Sequence, residues 1–171
     1  MKRFLLIVAA LFCVTTVSAQ SKVKKAANYV ASQKWSVGLR VAYGVQVEAE
    51  CFYSDNAYIE GRIGILNGPI ADFAVLHNWN CCTWDWTPKA GQWFLDLGVG
   101  ANLGGAAHFC YGGVVGQCKF GIKFNKVPIR LAIDYSPAIN IGGWYGKGVD
   151  NVCGLYIPNL YNTALSATYC F

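Results

Sequence analysis

The chain has 171 residues, of which 54% are hydrophobic and only 13% are charged, and its formal net charge is +5. Charged residues therefore have about half of their usual share in a soluble domain, and a net charge this small does not favour a nucleic-acid partner. After residue 19 no stretch reaches the ~18 consecutive apolar residues of a transmembrane helix, and the length allows one domain.

The first 19 residues are typical of a cleaved export signal. They combine a basic start at Lys2 and Arg3, an apolar stretch and a small-residue cleavage site that ends at Ala19. We therefore expect residues 1–19 to be a signal peptide. Its removal takes two positive charges from the total of +5 and leaves +3. Residues 20–34 are basic and lack strand alternation, so we expect a periplasmic N-terminal segment there.

From residue 35 onward, apolar and polar residues alternate with a period of two, which indicates β-strands. In the first segment, Trp35, Val37 and Leu39 share one face, and Ser36 and Arg40 occupy the other. Eight segments of 9–12 residues follow this pattern: 35–43, 45–53, 58–66, 71–79, 93–103, 114–124, 127–135 and 160–171. Strands of about this length, in an even number from eight upward, are typical of bacterial membrane barrels.

The two faces of these segments differ in charge. One face is almost uncharged, whereas the other carries isolated charges of both signs beside Gly, Ala and Ser. A soluble sandwich would turn its polar face to water, but a membrane barrel has lipid outside and a polar interior. The sequence therefore predicts an all-β fold, an eight-stranded antiparallel up-and-down transmembrane β-barrel over residues 35–171.

The connections between the segments divide between two sides of the predicted barrel. On the periplasmic side we expect connections at 54–57, 81–92 and 125–126. On the outer side we expect tight connections at Gly44 and 67–69, followed by the only two substantial loops of that side. These two predicted outer loops are 104–113 and 140–159.

The inward-facing charges are nearly balanced in sign. An eight-stranded barrel is just wide enough for its own side chains to fill it. We therefore expect these charges to pair in a closed polar interior and not to line a conduction path. The predicted interior charge network consists of Arg40, Glu48, Glu50, Glu60, Arg62, Asp72, Asp96, Lys119, Lys123, Arg130 and Asp134.

The chain also resembles a known family. An export signal, eight alternating strands and a terminal Phe171 preceded by Tyr169 resemble the small outer-membrane β-barrel proteins, which include OmpX and the transmembrane domain of OmpA. The segments WSVGLRVAYGV, WFLDLGVGANLGG and IRLAIDYSPAINIGG are similar to compact members known simply as outer membrane protein β-barrel domains.

This resemblance implies that Tyr169 and Phe171 form an assembly signal for the outer-membrane barrel assembly machinery. It also implies a monomer in the outer membrane of a Gram-negative envelope, with outer-membrane lipids and that machinery as partners. It does not imply an activity, because one fold carries many functions.

Candidate chemical sites are few. His77 and His108 are the only histidines, and the residues around them match no hydrolase signature. We therefore predict no catalytic, cofactor or metal site. Cys110 and Cys153 fall in the two longer outer loops, and a disulfide between them is one pairing that an oxidising compartment allows.

The favoured interpretation is a non-enzymatic integral outer-membrane barrel with a filled polar interior and a structural or surface-interaction role. Two alternatives remain open. The first is an outer-membrane lipid-modifying enzyme, for which His108, Asp150 and Ser136 are the candidates at the outer rim. The second is a small barrel that binds an apolar ligand.

Overall fold

The structure is a computed structural model that describes residues 34–66, 68–144, 153–156 and 162–171. The predicted signal peptide, residues 20–33 and Asp150 lie outside these residues. The strands are β1 (Trp35–Val41), β2 (Gly44–Ser54), β3 (Ala57–Leu66), β4 (Ile70–Thr87), β5 (Gly91–Ala106), β6 (Phe109–Phe124), β7 (Ile129–Tyr135), β8 (Ala138–Trp144), β9 (Cys153–Tyr156) and β10 (Thr163–Cys170). No helix in the described ranges is long and apolar enough to cross a membrane.

Eight strands close into a barrel. Each of β1 to β5 pairs antiparallel with the next strand in the chain. β6 then pairs with β7, β7 pairs with β10, and β10 pairs with β1. At the closing seam, the backbone N–H of Phe171 donates to the carbonyl of Trp35 at 2.9 Å, and the reverse bond measures 3.2 Å. The predicted all-β, eight-stranded antiparallel barrel is confirmed.

The seventh barrel strand is interrupted near its middle. β6 pairs with β7 along Cys118–Lys123 and with β8 along Phe109–Val115. Between β7 and β8 stand Ser136 and Pro137, and proline has no N–H to donate to a ladder. β9 then pairs with the other side of β8. The wall formed by β5, β6, β8 and β9 therefore continues past the start of β10.

Three predicted loops are wrong in part. β4 runs to Thr87 and β5 begins at Gly91, so most of the predicted loop 81–92 is a hairpin with a short turn. The predicted loop 104–113 is likewise strand except for a two-residue turn at 107–108, and 140–159 contains most of β8 and all of β9. The backbone ladder continues through these segments although Gly, Cys and aromatic residues obscure their alternation. A bulge between Asn80 and Cys82 also shifts the register of β4.

The pattern of burial along the strands reverses that of a soluble protein. β10 alternates strictly between exposed and buried residues, and its exposed positions include Leu165 and Tyr169. Its buried positions include Ser166 and Thr168. The same inversion holds around the barrel, because the side chains that face inward are mainly polar or charged.

Candidate functional site: the charged interior of the barrel

Among the described residues, ten charged side chains are buried in the barrel interior, and none of them is more than 6% exposed. Strand alternation brings them there, because residues of one parity on each strand face the lumen. These buried charges are Arg40, Glu48, Glu50, Glu60, Arg62, Asp72, Asp96, Lys119, Arg130 and Asp134. Lys123, the remaining member of the predicted network, is only half-buried near the end of β6.

Lys119 lies at the centre of one group of carboxylates. Its ammonium nitrogen is 2.9 Å from Oε2 of Glu60, 3.0 Å from Oε1 of Glu50 and 3.5 Å from Oε2 of Glu48. The first two are charge-assisted hydrogen bonds, which are stronger than bonds between neutral groups. Asn78 donates a further bond of 3.0 Å to Glu60. One lysine of β6 is thus bound to carboxylates of β2 and β3.

Arg130 links three walls of the barrel. From β7 its guanidinium donates to Glu50 on β2 at 2.6 Å and to Asp96 on β5 at 2.9 Å. The same guanidinium lies 4.3 Å from the ring centroid of Phe94, within the range of a cation–π contact. Tyr58 also donates to Asp96, at 2.9 Å. Arg130 therefore has two anionic partners and an aromatic face.

Arg40 forms a second group with Asp134. One guanidinium nitrogen of Arg40 is 2.7 Å from Oδ1 of Asp134, and its Nε lies 3.1 Å from both oxygens of that carboxylate. Another nitrogen donates to Gln46 at 2.6 Å. Gln46 donates in turn to Asp72 at 2.8 Å, and Tyr111 donates to Asp72 at 2.6 Å. In this group Asp134 therefore pairs with Arg40, whereas Asp72 accepts hydrogen bonds from two neutral donors, Gln46 and Tyr111.

Arg62 joins the two groups into one network. Its Nε donates to Glu60, and its Nη1 donates to the hydroxyl of Ser136 at 3.2 Å. Ser136 donates to Asp134 at 2.9 Å. A continuous path of polar contacts therefore runs from Lys119 through Glu60, Arg62 and Ser136 to the Arg40 group.

Several inward polar atoms have no hydrogen-bond partner among the described residues. Both carboxylate oxygens of Glu48, Nη2 of Arg62, and the side-chain amides of Gln117 and Asn140 belong to this set. The side-chain carbonyl oxygen of Asn102 also belongs to it. These atoms are buried, so each bears a desolvation cost that a bond would have offset.

The neutral partners of the network were absent from the sequence-based site. Tyr58, Asn78, Gln46 and Tyr111 all share the inward parity of the charged residues on their strands, which is a usable signal. Which charge each of them contacts depends on the curvature and stagger of the barrel. A strand pattern contains neither.

The predicted cysteine bridge is not formed in this structure. Cys110 has a free, exposed thiol. Cys110 and Cys153 pair with Gly143 from opposite sides. Two strand spacings, about 9.6 Å, therefore separate their backbones, whereas a disulfide requires Cα atoms within ~7 Å.

The residues considered for an enzyme do not form a rim site. Ser136 is fully buried inside the network, and His108 is exposed in the turn between β5 and β6. Their third candidate partner, Asp150, lies outside the described residues. His77 faces outward and contacts the hydroxyl of Tyr53 through Nε2. Among the described residues no group of His, Cys, Asp or Glu is arranged to hold a metal ion.

The two residues of the predicted assembly signal lie at the barrel seam. Tyr169 is 55% and Phe171 is 61% exposed, and their stacked rings have centroids 6.5 Å apart on the outer surface. Tyr169 pairs with Val37 of β1 and with Ile129 of β7. Both aromatic rings are therefore presented outward beside the edge where the first and last strands meet.

Comparison of the chain with protein-family models, with curated proteins and with solved structures finds no match.

Proposed function

We propose that this protein is an integral outer-membrane β-barrel, exported by a cleaved signal peptide, without enzymatic activity and with a structural or surface-interaction role. The observation that carries this proposal is the inverted distribution of side chains. Val, Ile, Leu and aromatic residues cover the outside, and ten charged side chains are buried inside. Such an exterior is stable in hydrocarbon, whereas in water it would be an aggregation hazard.

The apolar exterior is a continuous belt and not a patch. Each of the following residues is more than half exposed: Leu39, Val41, Val45, Ile63, Ile65, Leu103, Val114, Ile133, Ile139, Ile141 and Leu165. They belong to strands all around the barrel. The partners that suit this belt are outer-membrane lipids. A monomer suffices to bury the belt in a bilayer, and we expect the assembly machinery to act during biogenesis only.

The interior argues against the apolar-ligand alternative. A ligand-binding barrel needs a concave, mostly apolar pocket with a few polar groups. Here the lumen contains ion pairs between strands that are not adjacent, such as Arg130 with Glu50 and Asp96, and the pair of Lys119 with Glu50 joins opposite walls. One cluster of buried apolar residues in the described ranges consists of Ala74, Leu76, Val115 and Ala138. Two of its four members are alanines.

Fractionation of the protein from its membranes tests this proposal. We expect the protein to stay in the membrane pellet after washes with alkaline carbonate or high salt and to be released by detergent. A soluble periplasmic protein in the same extract is the control and should appear in the first wash. Release of the barrel itself by carbonate or salt would contradict the membrane location.

A further inference from the structure

The buried charges of the interior do not balance. Among the buried residues that the structure describes, six carboxylates face four cations, so the acids outnumber the cations by two. Asp134 pairs with Arg40, Glu60 with Arg62 and Lys119, Asp96 with Arg130, and Glu50 with Arg130 and Lys119. The two remaining acids are Asp72, which has no cation within ion-pair distance in the described ranges, and Glu48, whose 3.5 Å contact with Lys119 is the longest of the three that this nitrogen makes with carboxylates.

Asp72 and Glu48 differ in their surroundings. Asp72 accepts hydrogen bonds from Gln46 and Tyr111, and such donors stabilise an ionised carboxylate. Glu48 is 0% exposed, and neither of its oxygens has a hydrogen-bond partner in the described ranges. Of the two acids, Glu48 is therefore the one whose ionised form has the weaker support.

The charged groups around Glu48 form their short hydrogen bonds with other residues, and only one nitrogen of Arg62 is left over. On its own strand lies Glu50, and on β3 lie Glu60 and Arg62. On β6 lies Lys119, whose nitrogen is 3.5 Å from Glu48 but donates to Glu50 and Glu60 at shorter distances. Arg62 donates to Glu60 and Ser136, although its Nη2 is without a partner in the described ranges. On β1 the paired residue is Gly38, which offers no side chain.

We propose that Glu48 is a proton-binding site of the barrel interior and carries its proton in the folded state. An ionised carboxylate at this position would be a third anion beside Lys119, in a region without water-accessible surface. A protonated carboxyl group is neutral and gains an O–H donor, which suits the neighbouring carboxylates of Glu50 and Glu60. A metal cation is a poorer occupant, because it would stand next to the ammonium of Lys119.

Infrared spectroscopy of the folded full-length chain tests the proposal directly. A protonated carboxylic acid has a carbonyl stretch that is separate from the bands of carboxylates. We expect this band in the wild-type barrel at neutral pH. We also expect it to shift when glutamate, and not aspartate, is labelled with carbon-13. Absence of the band, or a shift with labelled aspartate only, would overturn the proposal, and this result requires no variant to fold.

Two variants then assign the band to one residue. Glu48→Gln replaces a neutral acid by a neutral amide of the same size, so the band should disappear while the unfolding equilibrium constant changes by less than about tenfold. Glu60→Gln is the matched control. It should keep the band but raise that constant by about a hundredfold or more, because Arg62 and Lys119 lose a buried ionic partner. Persistence of the band in Glu48→Gln would refute the assignment.

Discussion

Neighbouring residues on β7 occupy opposite environments. Arg130 is 6% exposed and Asp134 is 0% exposed, whereas Leu131 is 42% exposed on the outer surface. A buried ion pair is weak support for stability as such, because desolvation of its two charges offsets their attraction. Loss of one partner is different, since it leaves an unpaired charge in the interior. These three positions therefore report which face of the strand meets which medium.

At this scale we expect opposite tolerances for adjacent substitutions. Arg130→Ala should lower the free energy of unfolding by roughly 3–5 kcal/mol, since Glu50 and Asp96 then lose a buried cation. Leu131→Arg should lower it by ~2–4 kcal/mol if that position lies near the bilayer midplane. Urea titration of the barrel refolded in lipid vesicles measures both. Leu131→Ala is the control and should cost less than either.

The outcome at position 131 decides the orientation of the strand. Full tolerance of arginine there would mean that the side chain does not meet hydrocarbon. The same result would contradict the outward assignment of the other odd-numbered residues of β7.

β10 is the strand that closes the sheet into a barrel. It pairs with β7 on one side and with β1 on the other, so the backbone hydrogen bonds on both sides of the seam involve β10. Beyond its last residue, Phe171 exchanges two further hydrogen bonds with Trp35. An unpaired strand edge is a site of aggregation, and β10 covers the edges that β1 and β7 would otherwise expose.

We predict that Phe171→Asp, or deletion of Phe171, lowers the amount of folded barrel in the outer membrane and leaves export to the periplasm intact. A charge near the membrane interface costs only about 1 kcal/mol or less, which is too little to unfold a barrel. The defect should therefore be one of assembly. Heat-modifiable migration on gels measures the folded fraction. Phe171→Tyr keeps the aromatic ring and should behave as wild type, while equal folded amounts in Phe171→Asp would contradict the prediction.

At the scale of the whole molecule, the closed barrel contains a network of buried charged side chains. Lys119 and Glu50 come from opposite walls and meet inside it, and Arg40 and Asp134 meet across the single strand β10 that separates β1 from β7. Eight strands enclose an interior that such side chains suffice to fill. The network fixes their positions, because most members have more than one partner.

We expect no steady ion conductance when the purified wild-type barrel is inserted into a planar lipid bilayer. The physical reason is that the charged side chains occupy the path and are bonded to each other. An open porin in the same bilayer shows that insertion is detectable. A stable open level in recordings of the wild-type barrel would show that the interior is not plugged.

The sequence predicts the fold well because most strands of this barrel pair with the strand that follows them in the chain. Alternation alone assigns the inward face of β2, with Glu48 and Glu50, and the outward face of β7, with Leu131. The ends of the long strands β4 and β5 were harder to predict. β4 passes through a bulge at Asn80 and Cys82, and a bulge changes parity without any mark in the composition.

The interior contacts were beyond the reach of sequence patterns. Inward parity places Arg130 and Asp96 in the lumen, but their bond depends on the stagger of strands that are not adjacent. The interruption at Pro137 is visible as a proline. The sequence does not show how this proline affects the strand, because both halves of the strand pair with β6.

Apart from the pair of Arg62 with Glu60 on β3, the ion pairs of the interior connect distant parts of the chain, which has a consequence for the order of folding. Arg40 is 94 positions from Asp134, Arg130 is 80 from Glu50, and Lys119 is 69 from Glu50. Contacts between residues that are so far apart in the sequence raise the contact order, and a high contact order slows folding. Hairpins of adjacent strands cannot supply them. We therefore expect these charges to remain hydrated until the barrel is nearly closed and to pair in the last step of folding.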